Sequence, residues 1–344
     1  MRYRLVMLWV GLLVASASAY AAEDPAAPEC SAPTHAGRYC QFLATGWELQ
    51  LNARLVQTRP GLAKRVLAEA RQRLAVISTR LPAARLQDLR RVTVWIEDET
   101  STDRAMYHTI SSEFPRQHGY PAAKSGSVDI PNAEKFIENG KDQPFLLLHE
   151  LAHAFHEQIL GHDNPQILAA YRHAVDVGLY KNVLRSNHQF VTAYALTNER
   201  EYFAELTEAY FGENDFFPFN REELRTYDAV GFAALQALWE HTEPLREQRI
   251  ATDGKGADCA QLPRSIEGRQ PARILFRNRL AEEVGVFWLD YGGQRKAWAT
   301  IPPGGLFMIS RTYLTHPWLL VGSAGNCLGV ALPDENGSWI AIGS

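Results

Sequence analysis

Two histidines one helical turn apart, with a glutamate between them, are the residues of this chain best suited to chemistry. They are His149 and His153, and the glutamate is Glu150. Residues i and i+4 share one face of a helix, so both imidazoles can bind the same zinc ion. Glu150 points about 100° further round the helix, where it can act as a base on a water molecule that the metal activates. This H-E-x-x-H spacing predicts the catalytic centre of a zinc hydrolase.

Apolar residues on both sides of the motif indicate that its helix is buried. Phe145 to Leu148 precede the motif, and Ala154 and Phe155 follow it. Two histidines and a glutamate are costly to bury without partners or a task, which argues against a solvated helix that carries the motif by chance. We expect this helix to begin near Asp142 and to end at Gly161.

A catalytic zinc site normally takes three protein ligands, so a third ligand is needed. Glu201 and Glu205 lie on one face of a predicted helix that Asn198 caps. Either Glu201 binds the metal while Glu205 holds the free nitrogen of a ligand histidine, or Glu201 supports the cap and Glu205 binds the metal. His156 lies about 10 Å along the helix axis from His149, which is too far to share one ion. We expect packing or loop roles for His108, His118 and His156.

Residues 149–153 and 194–205 together resemble the catalytic domain of the anthrax lethal factor family of zinc metallopeptidases. In that family a tyrosine and then N-E-x-E-[FY]-F-A-E follow the H-E-x-x-H motif, and Tyr194 and residues 198–205 match them here. The resemblance implies an α+β zincin-like fold that is mainly helical with a small sheet. It also implies one zinc ion bound by His149, His153 and Glu201, with Glu150 as the general base and Tyr194 facing the reacting carbonyl.

A short strand is predicted just before the motif helix. Residues 127–130 are β-prone and are stopped by Pro131. Zinc peptidases commonly bind an extended substrate along a sheet edge, and we expect this strand to be that edge.

Length and charge limit the partners of the chain. Its 344 residues favour two domains, and 46% hydrophobic with 22% charged residues is a globular composition. A formal net charge of −4 offers no electrostatic basis for binding nucleic acid or an anionic membrane. The expected partner is a peptide or protein substrate.

The first 22 residues have the pattern of an export signal. Met1 to Arg4 are basic, Leu5 to Val14 are apolar, and Ala15 to Ala19 are small. The apolar run is too short to span a bilayer, so we expect cleavage and no retained membrane anchor. The mature protein is expected in the periplasm or outside the cell.

The rest of the chain divides into two expected domains. Residues 23–245 form the predicted metallopeptidase domain, with a strand at 91–97. Its predicted helices cover 61–81, 164–178, 198–211 and 220–241. We predict a linker at residues 246–271. The short β-prone runs of residues 272–344 predict an all-β sandwich of about seven strands. Three pairings of the four cysteines are possible, and we favour Cys30–Cys40 with Cys259–Cys327, because each bond then stays within one domain.

Residues 274–333 resemble the β-domain of the von Hippel–Lindau tumour-suppressor protein. The matching stretches are 276–279, 286–289, 300–304 and 316–319. That β-domain binds a hydroxyproline-containing peptide, and the resemblance implies a pocket formed by Trp288, Trp298, Thr312, His316 and Trp318. Trp298 replaces a tyrosine of the family and Thr312 a serine. The alternative is that these tryptophans belong to the core of a packing or docking module.

We therefore predict an exported zinc metalloendopeptidase with a β-sandwich for substrate or partner recognition. Two alternatives stay open: an exported binding protein that keeps the scaffold without catalysis, and a zinc amidase that acts on cell-wall material.

Overall fold

The computed structural model describes residues 28–343 except 102–104, 112, 241–243, 246, 251–258, 260 and 336. The predicted signal peptide, residues 1–22, lies outside the described residues. The described chain combines helices with several sheets, so its fold is α+β, with a separate β region at the C-terminus.

The first sheet has six strands in the order β1-β2-β3-β4-β6-β5. Their bounds are β1 Pro33–Thr34, β2 Tyr39–Ala44, β3 Trp47–Asn52, β4 Val94–Ile96, β5 Met106–Tyr107 and β6 Val128–Ile130. The expectation that residues 127–130 form the sheet edge is wrong. β6 is hydrogen-bonded to β4 on one side and to β5 on the other, and the edge strand is β5, which runs antiparallel to β6.

Ten helices surround this sheet within the described residues. They are α1 Ala53–Thr58, α2 Pro60–Arg80, α3 Ala83–Leu89, α4 Glu113–Gln117, α5 Ala133–Glu138, α6 Leu146–Phe155, α7 Pro165–Val177, α8 Glu199–Phe211, α9 Arg221–Tyr227 and α10 Ala229–Trp239. The predicted single helix 220–241 is divided at Asp228. The Asp228 carboxylate accepts from the Gly231 N–H to cap α10, and it also accepts hydrogen bonds from the hydroxyls of Tyr180 and Tyr202.

The motif helix α6 begins at Leu146, one turn later than expected, and continues as a π-helical turn over His156–Leu160. Gly161, with φ +83°, ends it as expected. An aromatic stack joins α6 to its neighbours: the Trp239 ring lies 4.1 Å from that of Phe155 and 5.9 Å from that of Phe203. This stack sets α6 and α8 side by side, which determines the geometry of the candidate site.

The C-terminal region is a sandwich of two four-stranded sheets, ordered β13-β10-β16-β9 and β12-β11-β14-β15. Its strands are β9 Glu247–Ile250, β10 Pro271–Asn278, β11 Val284–Leu289, β12 Arg295–Ile301, β13 Leu306–Tyr313, β14 Trp318–Gly322, β15 Cys327–Ala331 and β16 Ser338–Ile342. All seven predicted strands are present. The eighth strand, β9, lies in the segment predicted as a linker. It forms a strand because it pairs in parallel with β16, which lies far away in the sequence.

The predicted cysteine pairing is confirmed, with disulfides Cys30–Cys40 and Cys259–Cys327. Such bonds are typical of an oxidising compartment. In the described part of the chain, no helix is both long and apolar enough to span a lipid bilayer.

The sandwich is docked against the motif helix. Arg273 of β10 donates from Nη2 to the Ile159 carbonyl in the π-helical turn at 2.6 Å. Ile110, which follows β5, packs against Leu275, Leu306 and Trp339 of the sandwich. The second domain therefore supports both the end of α6 and the chain next to the edge strand.

Candidate metal centre

Three predicted side chains meet between α6 and α8. His149 Nε2 and His153 Nε2 lie 3.1 and 3.2 Å from Glu201 Oε2. The two imidazole rings are 4.8 Å apart, as expected for residues i and i+4. Asn198 caps α8 by accepting from the N–H groups of Arg200 and Glu201. The cap uses only the backbone of Glu201, and its carboxylate faces the histidines.

These distances suit a tetrahedral zinc ion. Bonds of about 2.0–2.1 Å to nitrogen and oxygen place neighbouring ligand atoms about 3.3 Å apart in a tetrahedron. The two measured separations from Glu201 are close to that value, and the three ligand atoms lie within 4.8 Å of one another. Two imidazoles and one carboxylate form a donor set that zinc accepts.

The electrostatics of this group favour a positive charge at its centre. Burial lowers the pKa of His149, but hydrogen bonds to Glu201 and Glu208 outweigh burial and raise that pKa well above its ordinary value. Burial acts to raise the pKa of Glu201, yet the two histidines hold it well below its ordinary value. Glu201 is therefore ionised, and its negative charge faces the two imidazoles.

Glu208, which the sequence analysis did not select, orients the first histidine. Its Oε1 lies 2.7 Å from His149 Nδ1 and also accepts from Gln143 Nε2 at 3.1 Å. Glu205, predicted for this role, has its Oε1 3.8 Å from the same nitrogen, which is beyond hydrogen-bond distance. Both carboxyl groups are buried, and burial raises the pKa of each. A hydrogen bond at Nδ1 leaves Nε2 available as a metal ligand.

Glu150 and Tyr194 line the same cleft as the three candidate ligands. Glu150 is buried and is not part of the three-ligand group. Tyr194 lies in a 3₁₀ turn before α8, with 48% of its surface exposed and its ring centroid 6.4 Å from that of His149. Burial and then the Glu201 charge raise the pKa of Tyr194, so its hydroxyl stays protonated at neutral pH.

The cleft has a volume of about 640 Å³ and is walled by the edge strand β5. The π-helical turn holds that wall in place. Glu157 Oε2 accepts from the Tyr107 hydroxyl at 2.6 Å and from the Ile110 N–H at 3.0 Å. Gln158 Nε2 donates to the Tyr107 hydroxyl and to the Gly126 carbonyl. The same helix therefore supplies the candidate ligands and positions the strand that faces them.

The other histidines have neighbours outside the three-ligand group. His156 is fully buried, with its ring 5.2 Å from that of Phe203. His108 lies 2.9 Å from Asp129 Oδ2, and His118 stacks on a neighbouring tyrosine ring. A larger cavity of about 760 Å³ lies between the two domains, but the described residues that line it include none of the candidate ligands.

The five residues predicted for a β-domain pocket form two contacting groups. Trp288 lies 5.3 Å from His316, and Trp298 lies 5.2 Å from Trp318, measured between ring centroids. Trp318 Nε1 donates to Thr312 Oγ1 at 3.3 Å. Trp288 and Trp318 are directly opposite on neighbouring strands, so they share one face and the two groups adjoin.

Exposure distinguishes the members of this cluster. Trp318 is 2% exposed and belongs to the sandwich core, whereas Trp298 is 54% exposed. The register between β11 and β12 shifts at Trp298, and such a bulge redirects a side chain. The cluster thus has a buried floor and an exposed aromatic rim.

Comparison with protein families agrees with the C-terminal assignment. The family model of the VHL beta domain matches residues 263–328. The match begins before β10 and ends in β15, so the C-terminal sandwich is a VHL-like β-domain. It also includes residues 263–270, which precede β10. There, Ser265 Oγ accepts from Trp288 Nε1 at 2.7 Å, so this stretch packs on the sandwich.

Proposed function

We propose that the protein is a zinc metallopeptidase whose helical domain has a zincin-like fold related to the lethal factor family. The observation that carries the proposal is the convergence of His149 Nε2, His153 Nε2 and Glu201 Oε2 beside Glu150 in one cleft. The three side chains would hold one zinc ion, and Glu150 remains outside the ligand group, as a general base requires.

Zinc, when bound, lowers the pKa of water and polarises the substrate carbonyl. Glu150 then accepts a proton from the attacking water on its carboxylate and passes it to the leaving amine nitrogen. Tyr194 donates its hydroxyl proton in a hydrogen bond to the oxygen on which negative charge develops. Loss of one such donor typically costs about 3–4 kcal/mol of barrier.

Strand β5 supports a mode of substrate binding. It is the edge strand of its sheet in the described chain, and its residues Met106 and Tyr107 line the cleft. An extended peptide can add to such an edge through main-chain hydrogen bonds, which places a peptide carbonyl near the ligands. Glu157 and Gln158 keep Tyr107 and Ile110 in register for this pairing.

The test pairs a metal analysis with one substitution. Purified protein should contain one zinc ion per chain, and Glu150→Gln should retain that zinc while hydrolysis falls at least about a hundredfold. A zinc-free protein under all conditions would refute the proposal. Retained zinc without Glu150-dependent hydrolysis of peptides would favour the non-catalytic alternative. Hydrolysis of cell-wall fragments but not of peptides would favour the amidase.

The VHL-like domain supports a second, separate candidate function as a peptide-binding module. The exposed Trp298 beside the buried Thr312, His316 and Trp318 supports this role. Binding of proline- and hydroxyproline-containing peptides by the full chain should be lost in Trp298→Ala while zinc content is unchanged. Equal binding by both proteins would exclude this surface.

Export of the protein is part of the same proposal. The disulfides Cys30–Cys40 and Cys259–Cys327 support an oxidising compartment, the periplasm or the medium. Fractionation of cells that express the full chain, with N-terminal sequencing of the product, tests both location and cleavage.

A further inference from the structure

Two arginines line the candidate metal cleft, and their electrostatic environments differ. Arg185 is neutralised: its Nε and Nη2 both donate to Asp215 Oδ2, at 3.1 and 3.0 Å. Asp215 is 4% exposed, whereas the Arg185 side chain is 38% exposed. Arg185 therefore has little charge to offer a ligand.

Arg200 keeps its positive charge available. Its side chain is 46% exposed, and among the described residues its ion-pair partner is Glu199, with Nε 3.9 Å from Glu199 Oε1. That distance is too long for a hydrogen bond, so the donors of the guanidinium group can take a further acceptor. The residue is held in place by its backbone N–H, which donates to the Asn198 cap.

Arg200 lines the cleft together with His162 and the candidate ligand His153. His162 lines the cleft and lies 5.3 Å from His156 between ring centroids. Among the acidic residues that line the cleft, Glu201 faces the two histidines, Asp215 is paired with Arg185, and Glu150 and Glu205 are buried.

The position of Arg200 relates it to the reacting bond. It immediately precedes the candidate ligand Glu201 in the first turn of α8. Its side chain lines the same cleft as the candidate ligands, so a substrate bound in the cleft can contact its guanidinium group.

We propose that Arg200 selects substrates with a carboxylate next to the scissile bond. This inference rests on the proposed hydrolase function and adds its substrate class. A carboxylate matches the planar donor geometry of the guanidinium group, whereas a lysine side chain would be repelled by its positive charge. The carboxylate can belong to an acidic side chain or to the C-terminus of a peptide.

The experiment uses quenched fluorescent peptides of one sequence and the zinc-loaded full-length protein. Glu, Gln or Lys is placed in turn at each position flanking the cleaved bond, and every peptide is made with a free and an amidated C-terminus. Wild-type protein should show kcat/KM about tenfold higher for Glu than for Lys at one position, with Gln between them. The preference should weaken as ionic strength rises.

Two variants and a control decide the role of Arg200. Arg200→Gln should abolish the preference, and Arg200→Glu should reverse it in favour of Lys. Arg225→Gln, on exposed α9 and paired with Glu222, should leave it unchanged. If amidation slows cleavage of the Glu, Gln and Lys peptides alike, and Arg200→Gln removes that effect, the carboxylate recognised is the peptide C-terminus. A preference for Glu over Lys that persists after amidation shows that it is a side chain.

The outcomes separate this inference from the function on which it rests. Glu150-dependent cleavage with equal rates for Glu and Lys peptides, and with no effect of amidation, overturns the role of Arg200 and leaves the hydrolase intact. A preference that survives in Arg200→Glu also overturns it. No Glu150-dependent cleavage of any peptide overturns both.

Discussion

Glu208 should control how tightly zinc is bound, although it is not a ligand. Its Oε1 accepts a hydrogen bond from His149 Nδ1 at 2.7 Å and a second from Gln143 at 3.1 Å. The residue is fully buried. Glu208→Gln keeps the size and an acceptor oxygen but removes the charge, and Glu208→Ala removes the acceptor.

The two variants should differ in magnitude. A hydrogen bond to a charged group contributes about 1.5–3 kcal/mol, and a charged bond is roughly twice as strong as a neutral one. Glu208→Gln should therefore lose about 1–1.5 kcal/mol of zinc binding, or about a tenfold rise in Kd. Glu208→Ala also frees the imidazole to rotate, and its Kd should rise about a hundredfold, near the upper end for residues that support a ligand.

Competition against a chromophoric chelator measures these zinc affinities directly. Glu222→Gln, an exposed glutamate on α9, is the matched control and should bind zinc as the wild type does. The same Kd for wild type, Glu208→Gln and Glu208→Ala would refute the reasoning. A larger loss in Glu205→Gln than in Glu208→Gln would show that the other carboxyl group orients His149.

Two further predictions concern stability, both measured by urea unfolding of metal-free protein. Burial lowers the pKa of His156 from 6.5 to about 3. Between those pH values His156 is therefore protonated in the unfolded chain and neutral in the folded chain. Stability should fall with falling pH in that range, by up to about 1.4 kcal/mol per unit from this group, and His156→Phe should remove that contribution. An identical pH dependence in both proteins would contradict this account. Trp239→Ala removes the ring that stacks on Phe155 and Phe203, and it should lower the free energy of unfolding by about 3–5 kcal/mol. Leu43 is 70% exposed, so Leu43→Ala should leave the free energy of unfolding almost unchanged. A loss below about 1 kcal/mol for Trp239→Ala would show that the stack is not essential packing.

Local patterns were sufficient for much of the fold. Helices α2, α7 and α8 follow from apolar spacing with a cap or proline at the start, because a helix depends on neighbours three and four residues away. The seven predicted strands of the sandwich follow from alternation and turn residues. The cysteine pairing followed from the domain division.

Other features have no local signal. A two-residue strand such as β5 is too short to show alternation, so the edge of the sheet was assigned to the wrong strand. β9 is a strand only because β16 lies beside it, and a distant partner leaves no periodicity in the segment itself. The π-helical turn at His156–Leu160 keeps helical composition, and its orientation of Glu157 depends on Tyr107 and Ile110.

At the candidate site, the sequence alone determined that His149 and His153 share a helical face, and it left the third ligand open between Glu201 and Glu205. The resemblance to the lethal factor family favoured Glu201, and in the structure the Glu201 carboxylate faces both histidines. Only the tertiary structure decided which carboxyl group supports His149. Glu205 and Glu208 lie nearly one turn apart on α8, and the way α8 packs on α6 brings Glu208 to 2.7 Å and leaves Glu205 at 3.8 Å. Trp239 of α10 stacks on Phe155 of α6 and on Phe203 of α8, and this contact joins residues far apart in the chain.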